Sequence, residues 1–131
     1  MNLAERGEGF GRFWTERRLA TLTTLRKDGT PHVVPVGVTL DLDAGVARVI
    51  CSGDSQKALN VRRAGPEGAP VAVCQIEGRE WSTVEGRAVV RDDPASVADA
   101  ERRYAARYRT PRENPRRVVL EITVSRVLGP L

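Results

Sequence analysis

The first half of the chain alternates apolar segments with tight-turn signals, and this spacing constrains the fold more than any other feature. Leu19–Leu25 is rich in β-branched residues, and the turn Lys27–Thr30 that follows it is typical of a β-hairpin. A second apolar segment, His32–Leu42, leads into another turn at Asp41–Gly45. Parallel strands need a long crossover, usually a helix, and these turns are too short to supply one. The pattern therefore argues against a doubly wound parallel sheet.

The rest of the chain predicts further antiparallel strands and a few short helices. Additional strands are expected at Val46–Cys51, Val71–Ile76, Trp81–Arg91 and Val118–Val127. Helices are expected at Leu3–Arg18, Gln56–Arg63 and Pro94–Tyr108, with a loop at Gly65–Pro70. Six strands with short flanking helices indicate a mainly β (α+β) fold, a small barrel or sandwich. We expect one domain over residues 1–131, with an N-terminal helix in 1–18 and a barrel core in 19–131.

Length and composition place the chain among ordinary globular proteins. It has 131 residues, of which 40% are hydrophobic and 29% charged. It contains no run of eighteen apolar residues, and Met1–Trp14 lacks the apolar centre of a signal peptide. We therefore expect a cytoplasmic protein. Cys51 and Cys74 lie in separate apolar segments without a C-x-x-C pair, and we interpret them as buried free thiols rather than as a disulfide or metal ligands.

Most motif-based chemistry is absent from the sequence. It has no G-x-G-x-x-G, P-loop, G-x-S-x-G or H-E-x-x-H motif, and His32 is its single histidine. No pair of carboxylates stands out for acid and base catalysis. A hydrolase or a metalloenzyme is therefore not expected, and no catalytic or metal-binding residue is assigned.

The formal net charge is +4, and only Lys27 and Lys57 among the 21 basic residues are lysine. Lys57 lies in Ser52–Asn60, where a strand end passes through small polar residues into a helix. Free helix amides, a hydroxyl and a lysine at such a place suit a phosphate group. The alternative is a capped surface helix with a solvated lysine. The rarity of lysine in this chain favours the binding site.

Seven arginines between Glu101 and Arg117 form a second basic cluster with a local net charge of +5. One interpretation is a solvated helix face followed by a structured corner at Thr110–Pro111, and another is anion capture by one or two arginines. A nucleic-acid surface is disfavoured because no recognition motif accompanies the cluster and few aromatic residues are interleaved with it. Neither nucleic acid nor a membrane is expected as a partner.

Gln75 and Trp81 are expected near each other at one rim of the sheet. Gln75 ends one predicted strand and Trp81 begins the next, so a hairpin brings them together. A lone tryptophan is more often a core residue than part of a site, so without other information the core is the favoured interpretation of Trp81.

Four segments together resemble the pyridoxamine-phosphate-oxidase-like split-barrel family. They are Leu19–Gly37, Ser55–Asn60, Trp81–Gly86 and Arg107–Pro115. Within that family they are most similar to the actinobacterial oxidoreductases that use the deazaflavin coenzyme F420, in particular to biliverdin-reducing members. The likeness runs from about Leu19 to Gly129, and Arg107–Pro115 with the two arginines after it is the most specific part. The resemblance implies a six-stranded antiparallel split β-barrel of the FMN-binding type, with short flanking helices, and a homodimer with two cofactor sites at the subunit interface.

The resemblance also implies a set of cofactor-binding residues. The phosphate and ribityl chain would be held by Ser55, Gln56, Lys57 and Asn60. The deazaflavin ring would lie against His32, Val33, Val34, Pro35 and Val36. Arg63 would favour the phosphate or the polyglutamate tail. The groove would be completed, partly from the second subunit, by Gln75, Gly78, Arg79, Trp81 and Arg109.

The implied activity is hydride transfer from reduced F420 to a conjugated small molecule such as a tetrapyrrole, with biliverdin reduced to bilirubin as the favoured reaction. A cofactor that carries the chemistry agrees with a sequence that has no catalytic triad and no metal site. Two alternatives remain open: an FMN-dependent oxidase or reductase on the same barrel, and a non-catalytic protein that binds F420 or a tetrapyrrole.

Overall fold

Seven antiparallel strands form a single sheet in the computed structural model, which describes residues 1–131. The strands are β1 (Ala20–Leu25), β2 (Pro31–Val36), β3 (Thr39–Asp41), β4 (Val46–Ser52), β5 (Ala69–Glu77), β6 (Glu80–Arg91) and β7 (Arg117–Leu128). Three α-helices accompany them: α1 (Glu8–Thr15), α2 (Gln56–Arg63) and α3 (Pro94–Arg107). Short 3-10 turns occupy Leu3–Arg6 and Gly65–Glu67. None of the helices combines the length and the apolar character needed to span a lipid bilayer.

The predicted count of six strands is wrong because the expected strand His32–Leu42 is two strands. β2 pairs with β1, whereas β3 pairs with β4, and the chain changes partner at Gly37 and Val38. A Cβ atom on Gly37 would lie 2.8 Å from Cε2 of Tyr104, so only glycine lets this tyrosine approach the backbone. Apolar alternation continues across the break, so the pattern alone predicted one strand.

The connection between β2 and β3 forces the sheet to curl. The strand order is β2-β1-β5-β6-β7-β4-β3, which puts β2 and β3 at opposite ends of the sheet. Gly37 and Val38, which join them, can span only about 10 Å. The two ends therefore meet, and the sheet forms a barrel that is split beside β2. Pro35 lies in this edge strand, where its missing N–H costs no ladder hydrogen bond.

The N-terminal segment closes part of the hydrophobic core. Gly7, with φ of 98°, divides the expected helix Leu3–Arg18 into a 3-10 turn and α1. α1 buries Phe10, Phe13 and Trp14, and Nε1 of Trp14 donates a hydrogen bond of 3.0 Å to Oγ of Ser82. These aromatic residues belong to the same cluster of 21 buried residues as the strands.

The interpretation of Trp81 as a core residue is wrong, since its side chain is 39% exposed. Trp81 pairs across the β5–β6 hairpin with Ile76, and Gln75 pairs with Ser82. Successive residues of a strand face opposite sides of a sheet. Gln75 is therefore fully buried, whereas its neighbour Ile76 is 68% exposed and lies on the same face as Trp81. The two residues expected to share a rim lie on opposite faces.

Charged side chains dock α3 onto β3 and β4. The carboxylate of Asp99 accepts hydrogen bonds from Nε of Arg103 at 2.9 Å and from Nη2 of Arg102 at 3.1 Å. Arg48 of β4 approaches the same carboxylate at 3.9 Å. The hydrogen bond from Arg103, aided by the positive charges around it, lowers the pKa of Asp99 below its ordinary value. Asp99 is thus the acidic centre of this contact.

Replacing Asp99 with asparagine is expected to lower the free energy of unfolding by about 0.5 to 1 kcal/mol at pH 7. A carboxyl whose pKa is lowered by folding stabilises the protein above the unfolded-state pKa, and this contribution is lost as pH falls through the folded-state pKa. Urea unfolding at pH 7 and at pH 3 should therefore show the difference shrinking in acid. Asp43→Asn, at an exposed carboxylate without an ion pair, is the control. An Asp99→Asn deficit that is as large at pH 3 as at pH 7 would contradict the assignment.

Candidate functional site

A cleft of about 640 Å³ lies at the split of the barrel. One wall comes from the ends of β2 and β4 and from Lys57 of α2, and the other comes from Tyr104 and the segment after α3. The lining residues are Pro35, Val36, Gly37, Ile50, Cys51, Lys57, Tyr104, Arg109, Thr110, Pro111, Arg112, Glu113, Asn114 and Arg117. The cleft therefore has an apolar floor and a mainly basic rim.

Lys57 is placed at the cleft by the capped start of α2. Ser55 is the N-cap, and its Oγ accepts a hydrogen bond from the backbone N–H of Ala58 at 3.4 Å. The same hydroxyl donates to the carbonyl of Ser52 at 2.8 Å, which fixes the turn from β4 into α2. All twelve ion pairs of the chain are made by arginine, so the ammonium of Lys57 has no carboxylate partner. It is available for an external anion.

The arginine cluster divides into residues that bind within the chain and residues that do not. Those bound to carboxylates or backbone carbonyls are Arg102, Arg103, Arg107, Arg116 and Arg117. The guanidinium groups of Arg109 and Arg112 have no such partner, and both line the cleft. Glu113 is the one acidic residue of the lining. Five arginines of the cluster are thus used within the chain, and two are left for anion capture.

The segment that carries Arg109 and Arg112 is held in place by its neighbours. Nη2 of Arg117 donates to the carbonyl of Arg112 at 2.7 Å. Nδ2 of Asn114 donates to Oγ of Ser52 at 2.9 Å, which ties the segment to the end of β4. The basic rim is thus anchored on both sides of the split.

Cys51 contributes an uncharged wall to the cleft. Burial raises the pKa of its thiol above the ordinary value, and this outweighs the opposing effects of Ser55 and Lys57. A protonated thiol is a poor nucleophile. Cys51 and Cys74 are both free, as expected, and both are half-buried rather than fully buried.

Arg107 and Tyr108, at the end of α3, form hydrogen bonds with three segments behind the cleft. These are the residues after α1, the link between β2 and β3, and β5. Arg107 donates to the carbonyl of Val38 at 2.6 Å and, through two nitrogens, to the carbonyl of Glu16 at 2.9 and 3.0 Å. It also donates to Oε1 of Gln75 at 2.8 Å. The hydroxyl of Tyr108 accepts from the N–H of Val38 at 3.1 Å. Sequence reasoning missed this role because nothing in the cluster distinguishes Arg107 from its neighbours.

The structure brings four of the predicted site residues together in the cleft, namely Pro35, Val36, Lys57 and Arg109. Gln56 and Arg63 line an adjoining basin of about 540 Å³ with Arg26, Lys27 and Asp28. Ser55 is the N-cap of the helix that carries Gln56, Lys57 and Arg63. These residues surround the first turns of α2.

The remaining predicted site residues lie elsewhere. Asn60 is buried and accepts from Nε2 of Gln56 at 2.7 Å while donating to Thr24 at 2.9 Å. His32 and Val34 face the barrel interior and Val33 faces outward, where it is 55% exposed. Nδ1 of His32 is buried without a hydrogen bond. Gln75 is committed to Phe13 and Arg107, and the β5–β6 hairpin end carries Gly78, Arg79 and Trp81.

A split barrel is the fold expected from the sequence resemblance. Residues 8–129 match the family model described as pyridoxamine 5'-phosphate oxidase, and the chain belongs to this family. Over 117 residues it is 55% identical to the F420H(2)-dependent biliverdin reductase of Mycobacterium tuberculosis, covering 89% of this chain and 82% of the relative. The resemblance stated from the sequence is thereby confirmed.

Solved structures with low sequence identity share the same fold. An F420 reductase superimposes with a TM-score of 0.70 at 24% identity, covering 93% of this chain and 98% of that one. A conserved hypothetical protein from Mycobacterium tuberculosis gives a TM-score of 0.77 at 22% identity, covering 92% and 81%. The predicted mainly β barrel with flanking helices is confirmed, apart from its strand count.

Proposed function

We propose that this protein is an oxidoreductase that transfers a hydride from reduced coenzyme F420 to a conjugated substrate, with biliverdin as the substrate and bilirubin as the product. The observation that carries the proposal is the 55% identity to a biliverdin reductase dependent on F420H(2), which extends over 89% of the chain. The basic cleft at the barrel split supports it, because F420 is anionic and biliverdin carries two carboxylates.

The residues of the cleft fit an anionic coenzyme. Lys57, Arg109 and Arg112 have no partner within the chain, and charge-assisted contacts to phosphate and carboxylate are the strong ones. Lys57 and Ser55 would hold the phosphate beside the first turn of α2, with Gln56 oriented by Asn60. Arg63, with the basin beside α2, would favour the polyglutamate tail.

When bound, F420 supplies the hydride, so the chain has to orient the coenzyme and the substrate, exclude water from between them and balance their negative charges. The edge strand offers the apolar surface of Pro35 and Val36 and the backbone of His32–Val36 for a flat ring. The uncharged thiol of Cys51 adds an apolar contact without competing for the phosphate. Reduction of biliverdin to bilirubin adds one hydride and one proton.

We also propose that the protein is a homodimer. Ile76 is 68% exposed, and Trp81, which lies opposite it across the hairpin, is 39% exposed. Exposed apolar residues grouped in this way are typical of protein interfaces. A partner covering them would bring Gly78, Arg79 and Trp81 into the joint groove. Sedimentation equilibrium should give twice the mass of the chain, and a monomer at micromolar concentration would exclude the dimer.

Two measurements test the function. Titration of the purified protein with F420 and, separately, with FMN should give the tighter dissociation constant for F420. Steady-state oxidation of reduced F420 should then depend on biliverdin concentration. Retention of FMN without affinity for F420 would indicate the flavin-dependent alternative. Tight F420 binding without oxidation by any bilin or quinone would indicate a carrier.

A further inference from the structure

A second hollow of about 480 Å³ adjoins the cleft. It is lined by Arg17, Arg18, Leu19, Tyr104, Tyr108 and Arg109. Tyr104 and Arg109 line both spaces, so they form the boundary between them. Three of these residues are arginines and none is acidic, so the lining suits a negatively charged ligand.

The three arginines of this hollow are not equivalent. Arg18 forms ion pairs with Glu16 at 2.9 Å and Glu77 at 3.5 Å, and its guanidinium stacks over the ring of Phe13 at 4.9 Å. It is therefore part of the scaffold. Arg17 and Arg109 are exposed and have no carboxylate partner in the chain. Arg17 is thus available for a ligand of the hollow, whereas Arg18 is already paired with carboxylates and Arg109 also faces the first cleft.

The rest of the lining is suited to a flat conjugated molecule. Leu19 is 68% exposed, and the rings of Tyr104 and Tyr108 lie 5.0 Å apart between the hollow and Gly37. Aromatic and aliphatic surfaces bind conjugated planes, while planar guanidinium groups bind carboxylates in pairs of parallel hydrogen bonds. Both kinds of contact are present within one lining.

From these observations we infer that the second hollow is the substrate subsite, in which Arg17 binds a carboxylate of a planar, dianionic substrate. The inference rests on the proposed function for the position of the coenzyme, which would occupy the first cleft. Hydride transfer requires reacting atoms about 3 to 3.5 Å apart. The reacting part of such a substrate therefore lies in the first cleft with the coenzyme, and the part that carries the carboxylate lies beyond Tyr104 and Arg109 in the second hollow.

The test compares biliverdin with its dimethyl ester, which has the same conjugated system without the carboxylate charges. Dissociation constants are measured by absorbance titration for the unchanged protein, for Arg17→Gln and for Arg12→Gln, without turnover. Arg12 is an exposed arginine of α1 outside the hollow and is the matched control. Arg17→Gln should weaken biliverdin binding about fivefold, leave the ester and F420 unaffected, and raise the KM for biliverdin with little change in kcat. Arg12→Gln should change none of these values.

If Arg17→Gln weakens the binding of biliverdin and of the ester equally, or weakens neither, the assignment of the hollow as a substrate subsite is wrong. Failure of the proposed function would look different. In that case the unchanged protein would fail to bind F420 or to oxidise reduced F420, while the binding comparison between biliverdin and its ester would still give a result. An unchanged protein that binds the ester as tightly as biliverdin would also overturn the role of Arg17.

Discussion

Replacing Arg107 with methionine is expected to lower the free energy of unfolding by about 2 to 3 kcal/mol, although the side-chain volume is nearly kept. The guanidinium donates to three acceptors: the carbonyls of Glu16 and Val38 and the amide oxygen of Gln75. Val38 and Gln75 are buried, so methionine would leave their acceptors without this donor, and an unpaired buried acceptor costs more than the hydrogen bond contributes. Urea unfolding followed by the fluorescence of the buried Trp14 measures the change.

Arg102→Met provides the comparison for Arg107→Met. Arg102 lies on the same helix, is 70% exposed and makes one ion pair, to Asp99. Its replacement should cost less than about 0.5 kcal/mol. Arg107→Lys keeps the positive charge and loses the forked set of donors, so it should be intermediate. Equal effects of Arg107→Met and Arg102→Met would show that the hydrogen bonds of Arg107 contribute nothing to stability.

Replacing Lys57 with alanine is expected to weaken F420 binding at least tenfold, about 1.4 kcal/mol or more. The ammonium faces the cleft beside the capped start of α2 and has no partner in the chain. Its removal therefore breaks no hydrogen bond or ion pair, and the main loss falls on the ligand. Isothermal titration with F420 measures the dissociation constant, and urea unfolding should show a stability change of less than about 0.5 kcal/mol.

Arg126→Ala removes the same unit of charge outside the cleft. Arg126 is exposed on β7, where it approaches Glu85 at 3.7 Å. It should leave the affinity for F420 within about twofold at 0.15 M salt, since charges beyond about 8 Å are screened. An unchanged dissociation constant in Lys57→Ala, or an equal loss in both variants, would remove Lys57 from the site.

Features set by neighbouring residues could be predicted from the sequence. The helix Gln56–Arg63 was predicted with the bounds that the structure has, because Ser55 caps it and the apolar spacing is helical. The β1–β2 turn was predicted because Asp28 and Gly29 carry the local signal. The position of Lys57 on the first turn of α2 follows from the same local signals.

Features that depend on distant partners could not be predicted in this way. Whether Arg107 is buried or solvated depends on Glu16, Val38 and Gln75, and a count of charges along α3 gives no information about them. The break at Gly37 depends on the tyrosines of α3 in the same way. Trp81 lies outside the core because the hairpin register puts it on the face of Ile76. In each case the deciding contact joins residues far apart in sequence.

The pairing of β4 with β7 also has a consequence for the order of folding. The cleft has walls from β2, β4 and the segment after α3, and β4 becomes part of the sheet by pairing Val46–Ser52 with Arg117–Thr123 of β7. Pairings between such distant segments form slowly, because the loop must close before the contacts can stabilise it. During synthesis the anion-binding rim is therefore incomplete until β7 has emerged from the ribosome. A ligand of the complete cleft therefore binds only to chains in which β7 has already paired with β4.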